Sequence, residues 1–261
     1  MRNKRQDILF HRVSGTGHPV VFLHGFLESS TMWNFLDLPG SIQKIIIDLP
    51  GHGASFDAAE NVTMEDMAEH VLDLLEHLEI EEYTVVGHSM GGYVGLELMK
   101  LDARCINLVL LNSNFWKDSP DKVENRKRVA KIVQTNKSYF LYETIPNLFL
   151  NPDKFDSEVR GLIDESKRME AYNISRISIA MSKRNDHQKF VANHLDQILI
   201  IQGEDDVVVP SIEMDRKLKG LTPNYFVLKR TGHMAHIELP TKTTSLIMSF
   251  VSHSDDSTLV L

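Results

Sequence analysis

The chain has 261 residues, 42% hydrophobic and 25% charged, which suits one large or two small soluble domains with a sizeable core. Lys and Arg number 28 against 36 Asp and Glu, and this net charge of −8 argues against nucleic acid as a partner, because phosphate binding needs a basic face. The single cysteine, Cys105, excludes an intrachain disulfide, and the apolar run beside it marks it as a small buried hydrophobe.

Residues 1–7 are charged, and no apolar segment of signal-peptide length follows them. No run approaches the length of a membrane span, so the expectation is a cytoplasmic protein. Residues 8–14 read as a first strand, closed by Gly15-Thr16-Gly17, and residues 19–23 as a short buried strand ending in His24-Gly25-Phe26-Leu27. A short helix is expected over residues 28–35 and a strand over 44–48. Leu49-Pro50-Gly51-His52-Gly53 then reads as a loop from its Pro and Gly content. Residues 63–78 give the clearest helix: Met64, Met67, Ala68, Val71, Leu74, Leu75 and Leu78 share a face, with Thr63 as N-cap and Asp66 three residues on.

The β-branched run at 83–86 passes through Gly87-His88-Ser89-Met90-Gly91-Gly92 into a helical pattern at 93–99. A strand turning sharply into a helix strains the residue at the apex, and bulky neighbours two positions either side would collide; Gly87 and Gly91 flank Ser89 at that spacing. The turn lifts the Ser89 hydroxyl clear of the sheet, at the positive end of the following helix. By itself G-x-S-x-G is a short pattern and fits an idle serine in a Gly-rich turn.

A strand follows at 106–111. Residues 114–189 contain no good strand and read as helices at 120–134, 139–148, 157–169 and 174–183, with Ser119 as N-cap and Pro120 in the first turn. That stretch holds 15 Lys+Arg against 11 Asp+Glu, whereas the remainder of the chain carries a net −12. Such charge usually marks a solvated face, although a preference for anionic substrates is compatible with it. Strands at 198–202 and 225–228 follow, with helices at 211–219 and 240–251 and a loose tail at 252–261. There are no internal repeats. Apolar strands alternating with amphipathic helices imply a doubly wound, mainly parallel α/β sheet whose site lies at the carboxyl ends of its strands.

A serine nucleophile needs a base, and the base an orienting acid. The loops after the last two strands supply both types: Glu204, Asp205 and Asp206 in residues 203–210, then His233 in Gly232-His233-Met234. Serine, acid, histidine is the chain order of one of the known triads.

Taken together, His24-Gly25-Phe26, Asp48-Leu49-Pro50-Gly51-His52-Gly53, the Ser89 turn, residues 203–210, and Gly232-His233 with Glu238 and Pro240 resemble the α/β-hydrolase fold superfamily over nearly the whole chain. The likeness is to small esterases, 3-oxoadipate enol-lactonases and cofactor-free haloperoxidase-like hydrolases. It implies a core made of residues 1–113 and 190–261, and a helical lid, residues 114–189, inserted after the sixth strand. It further implies Ser89 as nucleophile, His233 as base, and Asp206 as acid through the pattern G-x-x-D-x-x-V-P. The backbone N–H groups of Phe26 and Met90 would form the oxyanion hole. Trp116 and Met234 are the candidate substrate-binding residues, with Trp33 as a further rim candidate.

His24, His52 and His88 are expected to be structural. His236, three residues from His233, is not read as a metal ligand, and no metal or cofactor is expected. The activity implied is hydrolysis of a small ester, thioester or lactone. A lyase or synthase of the menaquinone-biosynthesis type, which would need arginines facing inward from the lid, and a non-enzymatic receptor are the competing readings. Oligomeric state is not legible.

Overall fold

The computed structural model describes residues 8–256. Its centre is a seven-stranded sheet: β1 (His11–Ser14), β2 (Pro19–Leu23), β3 (Gln43–Ile47), β4 (Tyr83–His88), β5 (Cys105–Leu111), β6 (Ile198–Gly203) and β7 (Tyr225–Leu228), in the order β1-β3-β2-β4-β5-β6-β7. Only β1 runs antiparallel to its neighbour. The chain leaves β2 for β3 on one side and then returns to place β4 on the other. The strand order therefore reverses between β2 and β4, and the crevice beyond their carboxyl ends is where ligands bind in such sheets.

Alternate residues of each strand face opposite cores. Val21, Leu23, Ile45, Val85, Leu108 and Ile200 point into the larger core with helices α1 (Met64–His77) and α2 (Met90–Leu101). Phe22, Ile46, Val86, Val109 and Ile201 face a smaller one, which Met32, Trp33 and the last helix complete. The predicted apolar face of α1 is buried, and its N-terminus is closed by a capping box in which Thr63 Oγ1 accepts from Asp66 N and Asp66 Oδ2 accepts from Thr63 N. Residues 28–35 do not form an α-helix as expected. A 3₁₀ turn spans Ser30–Phe35, and Glu28 stays in the preceding loop.

Four helices lie between β5 and β6: α3 (Pro120–Thr144), α4 (Asp156–Ser166), α5 (Ala171–Ser182) and α6 (Gln188–Ala192). Each of the five runs read before residue 114 forms one strand, and no sixth precedes the helices among the described residues. The expected insertion after the sixth strand is thus corrected to one after the fifth. The two helices anticipated at 120–134 and 139–148 are joined into α3 by a break at Asn136 (φ −151°, ψ 73°), whose side chain accepts from Tyr139 N and so caps the second half.

After β6 come α7 (Ser211–Leu218), the one-turn α8 (Ala235–Glu238) and α9 (Pro240–Asp256). The last of these continues into the expected tail, the rest of which lies outside the described residues. Among the described residues no helix is long and apolar enough to cross a membrane.

Candidate active site

Ser89 sits between β4 and α2 with φ 49° and ψ −111°, in the left-handed half of backbone space that side chains avoid. Its N–H donates to Leu111 O (3.0 Å) and its carbonyl accepts from Ser113 Oγ (2.7 Å), so the strained turn is held from β5. The flanking glycines are needed, though not because their side chains would meet each other as the sequence argument supposed. A Cβ on Gly87 would lie 2.4 Å from Gly91 O, and one on Gly91 would lie 2.1 Å from Leu23 O at the end of β2.

Three loops converge on this turn. His233 Nε2 is 2.9 Å from Ser89 Oγ, and His233 Nδ1 donates to Asp206 Oδ2 at 2.8 Å. The Asp206 carboxylate also accepts from Asn112 Nδ2 and Gln202 Nε2 on one oxygen and from Val208 N and Val209 N on the other. Burial pushes its carboxyl pKa up, but the His233 imidazole and these donors outweigh burial and leave it below the ordinary value. Of the three acids in this loop, Glu204 and Asp205 are exposed and only Asp206 is buried against His233.

A cavity of about 360 Å³ opens over Ser89. Phe26, Met234 and Val208 wall it from the sheet side, and Val129, Phe140 and Met181 from the helices above. Met90 is buried and opens α2, where the first N–H groups of a helix have no intrahelical acceptor. Of the two candidate substrate-binding residues, Met234 lines this cavity and Trp116 does not. The chain after β5 turns inward, so that Trp116 packs edge-on against Phe115, its carbonyl accepts from Arg184 Nε (3.0 Å), and its ring lies away from the cavity. Trp33 is also absent from the rim, being buried against Phe22 on the other face of the sheet.

The histidines divide as follows. His24 fixes its loop, with Nδ1 on Gly25 O and Nε2 accepting from Leu49 N, and His52 bonds Pro50 O. His88 is buried as expected but also borders the cavity, where its Nε2 donates to His233 O (3.0 Å). Sequence reasoning missed the partner of its other nitrogen. Glu28 is buried, accepts from His88 Nδ1 (2.7 Å), and accepts from Gly25 N (2.7 Å) in the loop that carries Phe26.

The one available signal was an acid three residues after His24-Gly25, hidden by the helical reading of 28–35. Glu28, His88 and His236 form a buried trio whose potential ligand atoms lie within 4.8 Å of one another. Within it Glu28 and His88 are hydrogen-bonded to each other and both His88 nitrogens are engaged, whereas His236 Nε2 stands 3.6 Å from Glu28 Oε1 with no hydrogen bond.

This sheet, with a strained serine at its switch point, is the architecture of an α/β hydrolase. The family described as the alpha/beta hydrolase fold matches residues 18–240, and the chain belongs to it. Its structure superposes on a thermophilic esterase from Thermogutta terrifontis with a TM-score of 0.86 and 27% identity, covering 94% of this chain and 93% of that one. Among curated relatives it is 25% identical to 3-oxoadipate enol-lactonase 1 of Acinetobacter baylyi (89% of this chain, 88% of the relative). It is also 25% identical to the 2-succinyl-6-hydroxy-2,4-cyclohexadiene-1-carboxylate synthase of Yersinia enterocolitica (92% and 88%). At 27% identity it matches a longer protein, the dihydrolipoyllysine-residue acetyltransferase component of the acetoin cleaving system of Pseudomonas putida; 90% of this chain aligns, spanning 64% of that relative's length.

Proposed function

We propose that the protein is a serine hydrolase that cleaves a small carboxylic ester, thioester or lactone through an acyl-enzyme intermediate. The observation that carries this reading is the continuous chain Ser89 Oγ–His233–Asp206, with contacts of 2.9 and 2.8 Å beside a cavity. Ser89 Oγ attacks the carbonyl carbon while its proton passes to His233 Nε2, and the carbonyl oxygen, now negative, takes hydrogen bonds from the N–H groups of Phe26 and Met90. His233 then gives that proton to the departing oxygen or sulfur. Water repeats the sequence on the acyl-enzyme, and Asp206 holds the imidazole in the required tautomer throughout. The helical segment 114–189 serves as the lid that shapes the acyl site.

The synthase reading calls for arginines aimed inward from the lid. Of Arg126, Arg128, Arg160, Arg168, Arg176 and Arg184, only Arg126 borders the cavity, and its Nε is paired with Asp118 (2.5 Å). Arg184 is paired with the same carboxylate, and Arg176 donates to Ala58 O. This arrangement favours the hydrolase.

The test is hydrolysis of p-nitrophenyl esters from acetate to decanoate, with Ser89→Ala as control. Turnover that falls in the variant to a small oxyanion-hole residual is expected. A rate left near wild type would reject Ser89 as the nucleophile.

A further inference from the structure

The Glu28–His88 pair is not needed to form the serine–histidine–aspartate chain, yet it ties the loop before Phe26 to the backbone of His233. Glu28 Oε2 accepts from Gly25 N, one residue before Phe26. His88 Nδ1 reaches the same carboxylate, and His88 Nε2 reaches the carbonyl of His233. In sequence, His88 immediately precedes Ser89. A carboxylate and a peptide carbonyl can only accept hydrogen bonds, so both ring nitrogens of His88 must donate, and only an imidazolium does that.

Both side chains are about 2% exposed, and the pair forms a buried, internally neutral bridge. A Cβ on Gly25 would stand 2.3 Å from the Glu28 carboxylate and 2.7 Å from His88 Nδ1, so the loop can close on the bridge only with glycine there.

We propose that Glu28 and His88 are positioning residues. Their bridge locks the loop bearing Phe26 and the backbone of His233 in register about Ser89, so that the oxyanion donor and the base are held as one unit. The proposal rests on the serine-hydrolase reading.

The charged groups facing His88 are Glu28, from the loop after β2, and Asp206, from the loop after β6. His233 and His236 face it from the loop and helix after β7. Burial works most strongly against charge on His88, but the Glu28 carboxylate, the His233 carbonyl and Asp206 together outweigh it and raise its pKa. His236, whose Nε2 is 3.6 Å from Glu28 Oε1, is pushed down to about 3 by burial and then by His88; it is a neutral wall of the bridge and not a rival cation.

Two measurements test the bridge. Nitrogen NMR of ¹⁵N-histidine-labelled wild-type and His88→Gln protein should show one histidine protonated on both ring nitrogens between about pH 6 and 8, where exposed histidines lose their charge, and its signal should be missing from the variant. A doubly protonated histidine that persists in the variant with none lost, or a wild-type spectrum in which every histidine turns neutral in that range, would overturn the proposal. That experiment needs no substrate, so it decides even if ester turnover fails and the hydrolase reading with it.

The second measurement compares Glu28→Gln, His88→Gln and the double variant in the ester assay. We expect kcat to fall by about 10²-fold, as for a misplacement of order 1 Å, with KM within about two-fold. An alkyl boronic acid, which mimics the tetrahedral state, should lose affinity in step with kcat, and the double variant should be no worse than the poorer single one. Glu28→Asp, which keeps the charge on a shorter stem, should recover part of the loss and stands in if a glutamine variant does not fold. Variants that melt earlier yet keep wild-type kcat and boronate affinity would reduce the bridge to scaffolding and overturn the proposal.

Discussion

Asp206 differs from its neighbours in burial and not in chemistry. Three acids follow β6 in succession, and composition does not rank them; a family pattern selected Asp206, and its position 2.8 Å from His233 Nδ1 supplies the physical reason. Replacing it with asparagine would keep the shape but present an amide where an acceptor is required, favouring the wrong imidazole tautomer. Asp206→Asn should therefore lower kcat by about 10⁴-fold, and Asp205→Asn, on an exposed side chain, should stay within about two-fold. Steady-state ester kinetics on both variants check the ranking, and the reverse order would move the acid to Asp205. The turn at Ser89 was legible because backbone geometry forces small residues around it, whereas His233 was picked out by chain order and by resemblance to a family. Glu28 was not, because its role exists only where loops from positions 28, 88 and 233 meet, and no spacing along the chain encodes that meeting. Trp116 was misread for the opposite reason: aromatic character and nearness to a strand end were visible, but the inward turn held by Arg184 was not.

Regular elements were read more reliably than loops, since periodicity and caps are local. The α1 face and its Thr63–Asp66 box follow from sequence alone, whereas the fusion of two expected helices into α3 turns on the conformation of Asn136. Glycines show how one residue type plays opposite parts in two helices. In α2, Gly91 lets the helix approach the Leu23 carbonyl, and an added Cβ would meet that backbone oxygen at 2.1 Å. In α4, Gly161 has nothing within 4 Å of such a Cβ and only gives the unfolded chain extra freedom. Gly161→Ala should stabilise by about 0.5–1 kcal/mol. Gly91→Ala should destabilise by about 1–3 kcal/mol through overpacking, and should lower kcat by shifting the loop that follows β2. Thermal melts would show the two opposite shifts, at about 2–4 °C per kcal/mol for a chain of this size. Equal shifts would mean that helix propensity, and not the close approach, governs Gly91.

Across the whole molecule, the division of charge between helices and core does not carry into the cavity. Residues 114–189 hold the net positive charge, yet the cations they bring to its wall are committed. Arg126 is paired with Asp118, and Lys122 Nζ donates to Val208 O. The same helices bring Val129, Phe140, Leu148 and Met181 to the cavity, beside Asn125, Thr144 and Ser178, and under the proposed hydrolase reading the apolar members would select an acyl chain by shape and burial of hydrocarbon. Phe140 is the large aromatic in that wall and is 7% exposed, fixed between α3's second half and the core. Truncating it extends the cavity without touching the hydrogen-bonded chain beneath. A pocket discriminates each methylene by about 1–3 kcal/mol, or roughly 10- to 200-fold. In Phe140→Ala the ratio of kcat/KM for decanoate over butyrate esters should therefore rise at least about 10-fold, while acetate turnover changes little. If that ratio were unchanged in a folded variant, the acyl chain would have to leave the site by another route, and the helices between β5 and β6 would not be what sets its length.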